Sequence, residues 1–411
     1  MLARLLIPLL LAVALDVYGF YALRTLMEGR APWVRTAVTL VWWASLGLLV
    51  ATLALIAFDV ETRLPKALLV PLRALLFIVY LGKLIAAAFF LADDLRRLVA
   101  LAYDKLRFGW ESAYRPDRSR FLTQLGLLAG GLPSALLVYG IARNAYRYRV
   151  HEVDVPIRGL SPKHEGLRVV QISDIHSGSF FRSDPIADGI AAINGLDADL
   201  VCFTGDLVNA RADEIEPYLE LFGGIRARHG VYSIIGNHDY GDYVPGWTQA
   251  DKDANWERLY ANHAAMGWRL LLNEHALVDV NGAPLAVIGV ENWSTIGRFP
   301  RTGDLAKAYA GTEAAATKLL LSHDPTHWDA EVRPQFPDIQ LQLSGHTHGF
   351  QFGVESRWLR WSPSQYIYPQ WAGLYTEGEQ HLYVNRGFGF LGYPGRVGIL
   401  PEVTLLRLRA A

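Results

Sequence analysis

One cysteine, Cys202, is all that 411 residues contain, so a single chain can form neither a disulfide framework nor a thiolate metal site. Cys202 sits in the apolar run Leu200-Val-Cys-Phe203, where a small core residue is expected. Net charge is equally scarce: 39 Lys and Arg against 40 Asp and Glu leave −1. The C-terminal half also has no basic run with interleaved aromatics, which removes the electrostatic footprint of a nucleic-acid partner. Histidine is missing from the first 150 residues, and all 12 lie beyond them. Long apolar runs therefore mark one part of the chain, and residues able to carry chemistry mark the other.

In the apolar part, residues 36–58 and 121–142 are free of charge and long enough to cross a hydrocarbon core of about 30 Å as helices. Residues 5–23, which carry Asp16, and 68–92, which carry Arg73 and Lys83, complete four expected spans. Asp16 and Lys83 lie well inside their segments and are costly there unless paired or turned to a bundle interior. A signal peptide is the competing reading of the first span, weakened by Asp16 and by the lack of a small-residue cleavage site. Residues 94–110 space Leu95, Leu98, Val99, Ala102 and Leu106 at helical intervals, as in a helix lying on a membrane surface or a packing helix.

Four spans place the N-terminus, the 59–67 loop and the C-terminal domain on one side. That side carries six basic residues, Arg4, Arg63, Lys66, Arg143, Arg147 and Arg149, against ten on the other. The positive-inside tendency then sets the C-terminal domain outside the cytoplasm. The stretch 117–123, DRSRFLT, reads either as a degraded twin-arginine signal with Ser119 in place of the second arginine or as a basic juxtamembrane flank.

From Gly166 onward, near-continuous apolar runs at 167–173, 199–205, 231–236, 285–290, 318–323 and 339–345 read as strands buried on both faces. Helical stretches at 184–195 and 213–228 lie between them, which implies a layered α/β architecture. The expected organisation is a transmembrane domain over 1–145, a linker over 146–165 and a catalytic domain over 166–411. Polar residues gather at the strand ends: SDIHSG with Asp174 and His176, TGDLVN with Asp206, GNHDYG with Asn237, His238 and Asp239, LSHDP with His323, and GHTHG with His346 and His348. Each cluster alone could be a turn or a helix cap. Five in this order, at the ends where open α/β sheets gather ligands, argue for one site.

This series resembles the calcineurin-like metallophosphoesterase signature over residues 165–411, and the closing GFGFLGYPGRVGILPEVTLLRL resembles its membrane-attached bacterial branch. The resemblance implies a metallophosphoesterase sandwich with two divalent ions, Mn, Fe or Zn by donor type. It assigns Asp174, His176 and His348 to one ion, Asn237, His323 and His346 to the other, and Asp206 to both. A hydroxide activated by the two metals would attack phosphorus, His238 would serve the leaving oxygen, and Asp239 would orient the His238 ring. Asn209 and Phe350 depart from the branch's more frequent residues, and Phe350 puts the shape of the pocket in question. The expected protein is an integral membrane phosphoesterase of the bacterial inner membrane, its catalytic domain extracytoplasmic. Its expected partners are the bilayer and a phosphate mono- or diester or pyrophosphate, with a lipid-linked substrate suggested by location alone. The alternative is a membrane sensor or transporter-like module that binds phosphate ligands, motivated by Asp16 and Lys83.

Overall fold

A computed structural model of the chain describes residues 2–58, 60, 64–111 and 113–411. It divides into two compact units, one ending at Tyr139 and the other beginning at Gly140. Of the loop expected at 59–67, residues 59 and 61–63, with Arg63 among them, lie outside the described residues.

Among the described residues, the first unit is four helices: α1 (Leu2–Met27), α2 (Pro32–Ala57), α3 (Lys66–Phe108) and α4 (Arg120–Tyr139). Each is long and apolar enough to cross a membrane. Residues 94–110 form no separate surface helix: α3 runs unbroken for 43 residues, about 65 Å at ~1.5 Å per residue. Its length alone carries it beyond a hydrocarbon core of about 30 Å. Small residues let α4 approach α3, since a Cβ at Gly130 would meet Gly82 O at 2.1 Å, the close backbone contact typical of membrane helix pairs. Asp16 and Lys83 are buried and pair with each other. Tyr80 donates to Asp16 Oδ2 at 2.8 Å and Lys83 to Ser45 Oγ at 2.6 Å, so the cost of these charges is met inside the bundle. Arg118 of the 117–123 stretch pairs with Asp94, and Ser119 Oγ accepts from Leu122 N at 3.2 Å. A serine there caps the first turn of α4.

The second unit opens with β1 (Arg149–Ile157), β2 (Arg168–Ile172), α5 (Asp184–Asn194), β3 (Leu200–Thr204), α6 (Leu219–Phe222), β4 (Val231–Ile234), α7 (Gln249–Ala265) and β5 (Trp268–Leu270). It continues through β6 (Glu274–Val280), β7 (Ala283–Gly289), α8 (Leu305–Tyr309), β8 (Thr317–Leu321), β9 (Leu341–Ser344), β10 (Val354–Glu355), β11 (Arg360–Trp361), β12 (Gly373–Glu377), β13 (Gln380–Val384) and β14 (Glu402–Ala410). Two six-stranded sheets, in the orders β1-β14-β2-β3-β4-β5 and β12-β13-β9-β8-β7-β6, lie face to face. Along β3, Leu200 and Cys202 enter the core between the sheets, while Val201 and Phe203 face the outer core shared with α5 and α7. Burial on both faces explains the continuous apolar runs.

Two expectations fail. The stretch 146–165 is not only a linker, because Arg149–Ile157 pairs with β14 residue for residue as β1. Residues 213–228 hold two single 3-10 turns and the four-residue α6 in place of one helix; Pro217 and the Gly223-Gly224 pair interrupt it.

β14 is held at its start by a buried ion pair. Glu402 accepts from Arg386 Nη1 at 2.6 Å and from Tyr383 Oη at 2.7 Å. Burial alone would raise the Glu402 carboxyl, but Arg386 outweighs it and the group is held down at about 2. A depressed folded pKa means that the pair's stabilisation is complete above about pH 4.5 and is lost as pH falls towards about 2. Arg386→Met should therefore cost on the order of 3–5 kcal/mol near neutrality. The deficit should shrink with acidification, because a protonated Glu402 no longer needs the guanidinium. Thermal unfolding of the detergent-solubilised chain at a series of pH values reads both effects, and a deficit that does not vary with pH would refute the assignment.

Candidate metal centre

All seven expected metal ligands leave the C-terminal ends of strands in both sheets: Asp174 and His176 after β2, Asp206 after β3, Asn237 after β4, His323 after β8, His346 and His348 after β9. Five of them hold positive φ, namely Asp174 (51°), His176 (47°), Asp206 (61°), His346 (71°) and His348 (51°). Such backbone is strained for these residues and persists only where the surroundings dictate it. Gly345 is required by space rather than by φ: a Cβ there would meet Ser173 Oγ at 1.9 Å and Asp174 Oδ2 at 2.2 Å.

Two donor clusters result. Ligand atoms of Asp174, His176 and His348 lie within 4.8 Å of one another, as do those of Asp206, His323 and His346. Asp206 Oδ2 is 3.5 Å from His176 Nε2 in the first cluster and 3.1 Å from His323 Nε2 in the second. One carboxylate oxygen therefore faces both clusters. Asn237 lines the same pocket as Asp206 and His346; its Nδ2 donates to Tyr243 Oη at 2.9 Å, and its Oδ1 is buried with no hydrogen-bond partner.

The donors fit divalent cations. His176 Nε2 and His348 Nε2 face each other at 3.0 Å, and His346 Nδ1 faces His323 Nε2 at 3.2 Å, contacts that repel unless a proton or cation lies between the lone pairs. Burial would lower His323, but Asp206 overrides it and pushes the imidazole up to about 10; the field that holds this extra proton would hold a metal instead. Burial likewise opposes ionisation of Asp174 and Asp206, and the facing imidazoles, His348 and His323, keep both well below the usual carboxylate range. Carbonyls and hydroxyls orient the rings from behind: His323 Nδ1 donates to Thr204 O at 2.7 Å, and His346 Nε2 lies 2.7 Å from Tyr368 Oη. Such partners set which ring nitrogen is free to bind.

His238 sits beside both clusters, its ring edge-on to His176 at 4.9 Å and stacked on Tyr243 at 4.3 Å. Its Nδ1 is 2.7 Å from Asn209 O; a carbonyl only accepts, so Nδ1 carries the hydrogen and Nε2 is the free nitrogen. Asp239 is not the group that orients this ring. Its carboxylate instead accepts from the backbone amides of Asp206, Leu207, Val208 and Gly236 at 2.9–3.2 Å. Burial and then Asp206 raise Asp239 to about 7, against the pull of those four amides. Its place is to clamp the Asp206 loop onto the Gly236 turn.

Sequence reasoning missed Tyr243 and Tyr368, and gave no role at the site to Asn209 or to Arg396. Arg396 is fully buried and donates to Gly387 O at 3.1 Å and Gly389 O at 3.0 Å beside the His348 loop. None belongs to a periodic pattern, although Arg396 stands in the closing motif quoted above. Phe350 lines the pocket, of about 640 Å³, and is 58% exposed.

Comparisons with known proteins bear on the family of the chain. Residues 3–145 match a family model described as the transmembrane domain of a probable calcineurin-like phosphoesterase, and residues 167–350 match that of calcineurin-like phosphoesterases. A transmembrane protein with metallophosphoesterase domain from Danio rerio is 31% identical over 69% of this chain and 63% of its own length. The counterpart from Bos taurus is 30% identical over 72% and 65%, so the chain spans just under two thirds of these relatives. The metallophosphoesterase YkuE of Bacillus subtilis is 28% identical over 72% of this chain and 98% of its own. Among solved structures, the NAD nucleotidase of Haemophilus influenzae superposes with a TM-score of 0.38 at 16% identity, covering 54% of this chain and 45% of that one.

Proposed function

We propose that this chain, which belongs to the calcineurin-like phosphoesterases and carries a transmembrane domain of that family, is an integral membrane hydrolase of phosphate mono- or diesters or pyrophosphates. The observation that carries the reading is the placement of Asp206 Oδ2 between an imidazole of each donor cluster, with the free Nε2 of His238 beside them. Asp174, His176 and His348 would hold one divalent ion, Asn237, His323 and His346 the other, and Asp206 both. Bound there, two ions supply Lewis acidity toward a water nucleophile and the phosphoryl oxygens.

The chain's own groups do the rest. Water oxygen forms the new P–O bond, the P–O bond to the leaving group breaks, and the leaving oxygen takes a proton from His238 Nε2. The proton lost by the water restores that histidine. Asn209 O keeps the other ring proton in place, so the exchanged proton is always on Nε2. The basic-residue balance of the loops supports an extracytoplasmic catalytic unit in a bacterial inner membrane. The alternative, a membrane sensor or transporter-like module that binds phosphate ligands, draws on the intramembrane charges Asp16 and Lys83, which pair with each other.

The purified full chain with Mn²⁺ should hydrolyse bis(p-nitrophenyl) phosphate and p-nitrophenyl phosphate. Chelation should lower both rates by roughly 100-fold or more, and added Mn²⁺ should restore them. Two bound ions without turnover, or turnover indifferent to chelation, would overturn the enzyme reading.

A further inference from the structure

The second unit exposes nine large apolar side chains, and six of them lie in the 18 residues from Phe350 to Ile367: Phe350 (58%), Val354, Trp358 (82%), Leu359, Tyr366 (76%) and Ile367. Apolar exposure this concentrated marks an interaction surface. The segment is also firmly built. Ser362 Oγ donates to Gly349 O at 2.7 Å, Gly353 N to Val397 O at 2.9 Å, and β10 pairs with β11. Its exposed side chains are therefore held outward rather than left by a loose loop. Phe350 and Ile367 belong to the wall of the metal pocket, together with Leu391 and Tyr393. The exposed apolar residues thus run along the chain from the pocket wall, at Phe350 and Ile367, to the turn between β10 and β11, at Trp358 and Leu359.

We infer that Phe350–Ile367 docks on the lipid bilayer and that the pocket takes the phosphorylated head of an amphiphile delivered from that surface; the substrate part rests on the phosphoesterase reading. Composition selects a bilayer over a protein partner. Trp358 and Tyr366 are the aromatics that settle at headgroup depth. Arg357, 3.9 Å over the Trp358 ring, supplies a cation for anionic headgroups. Glu355, the one acidic residue of the hairpin, is paired with both Arg386 and Arg360, which leaves Arg357 as the cation that faces the headgroups. The same chain carries four membrane-spanning helices, which keep this unit within reach of a bilayer. Hydrolysis at the pocket breaks the P–O bond of the amphiphile's head, adds water oxygen to phosphorus and returns the proton to the leaving oxygen.

The decisive measurement is positional. Cys202 is buried, with its thiol pushed up to about 12, so a fluorophore can be placed selectively by Trp358→Cys and, as a control on β6, by Leu277→Cys. In nanodiscs of phosphatidylcholine and phosphatidylglycerol containing doxyl-labelled lipid, the fluorophore at 358 should be quenched and that at 277 should not. Fluorescence at 358 that is shielded from iodide but not quenched by doxyl lipid would mean a protein surface covers it, and would overturn the inference. So would equal exposure to water at both sites. In parallel, Trp358→Ser with Leu359→Ser should slow hydrolysis of a phosphorylated lipid in vesicles by roughly tenfold or more, while p-nitrophenyl phosphate turnover stays within about twofold. Equal loss on both substrates would refute delivery from the bilayer. A wild type inactive on both p-nitrophenyl phosphate and bis(p-nitrophenyl) phosphate would sink the phosphoesterase reading and leave the quenching result to stand by itself.

Discussion

Asp206→Asn should lower turnover by more than roughly 10³-fold and reduce bound metal to about one ion per chain or fewer. The substitution keeps the side chain's shape, and its oxygen can still accept from His238 N, now 2.8 Å from Asp206 Oδ1. What it loses is the negative charge at Oδ2, the atom 3.1 Å from His323 Nε2 and 3.5 Å from His176 Nε2. An amide nitrogen there would turn its hydrogens towards two imidazole nitrogens and towards whatever cations they bind. Both clusters weaken together because they share this oxygen. Metal analysis beside single-turnover rates reads the outcome: two retained ions with activity within about tenfold of wild type would show that Asp206 is not the shared ligand.

His238→Gln should separate chemistry from metal binding. The residue belongs to neither donor cluster, so the variant should keep its metal. It should lose roughly 10²–10⁴-fold on an alkyl phosphate ester, whose alkoxide leaves poorly without a proton. A nitrophenyl ester, whose leaving group needs little help, should lose far less. The contrast between the two esters is the test, since a purely structural role would slow both alike. The same experiment addresses the corrected role of Asp239. Its carboxylate is engaged by four backbone amides on the Asp206 and Gly236 loops, so replacing it should disturb metal binding before it alters the contrast between esters.

The sequence by itself determined the two-part organisation and which polar residues stand at the ends of the buried strands. Hydropathy reports membrane helices directly, because an apolar stretch long enough to span hydrocarbon is also an apolar stretch in the sequence. Doubly buried strands stand out for the same reason, and the polar residues that end them can only lie at the sheet edge. Tertiary structure alone decided what required distant residues to meet. Asp16 finds Lys83 across 67 positions, so two apparent liabilities become a pair within the bundle. Arg149–Ile157 becomes a strand because β14, more than 200 residues later in the chain, offers it a parallel partner. Asp239 adjoins His238 in sequence, yet the tight turn at Asn237–Tyr240 sends the two side chains to different partners, amides behind the site and a carbonyl beside it. Sequence adjacency fixes which side chains are near one another along the backbone, but hydrogen-bond partners are chosen by direction, and direction exists only once the loops from both sheets have closed on the same point.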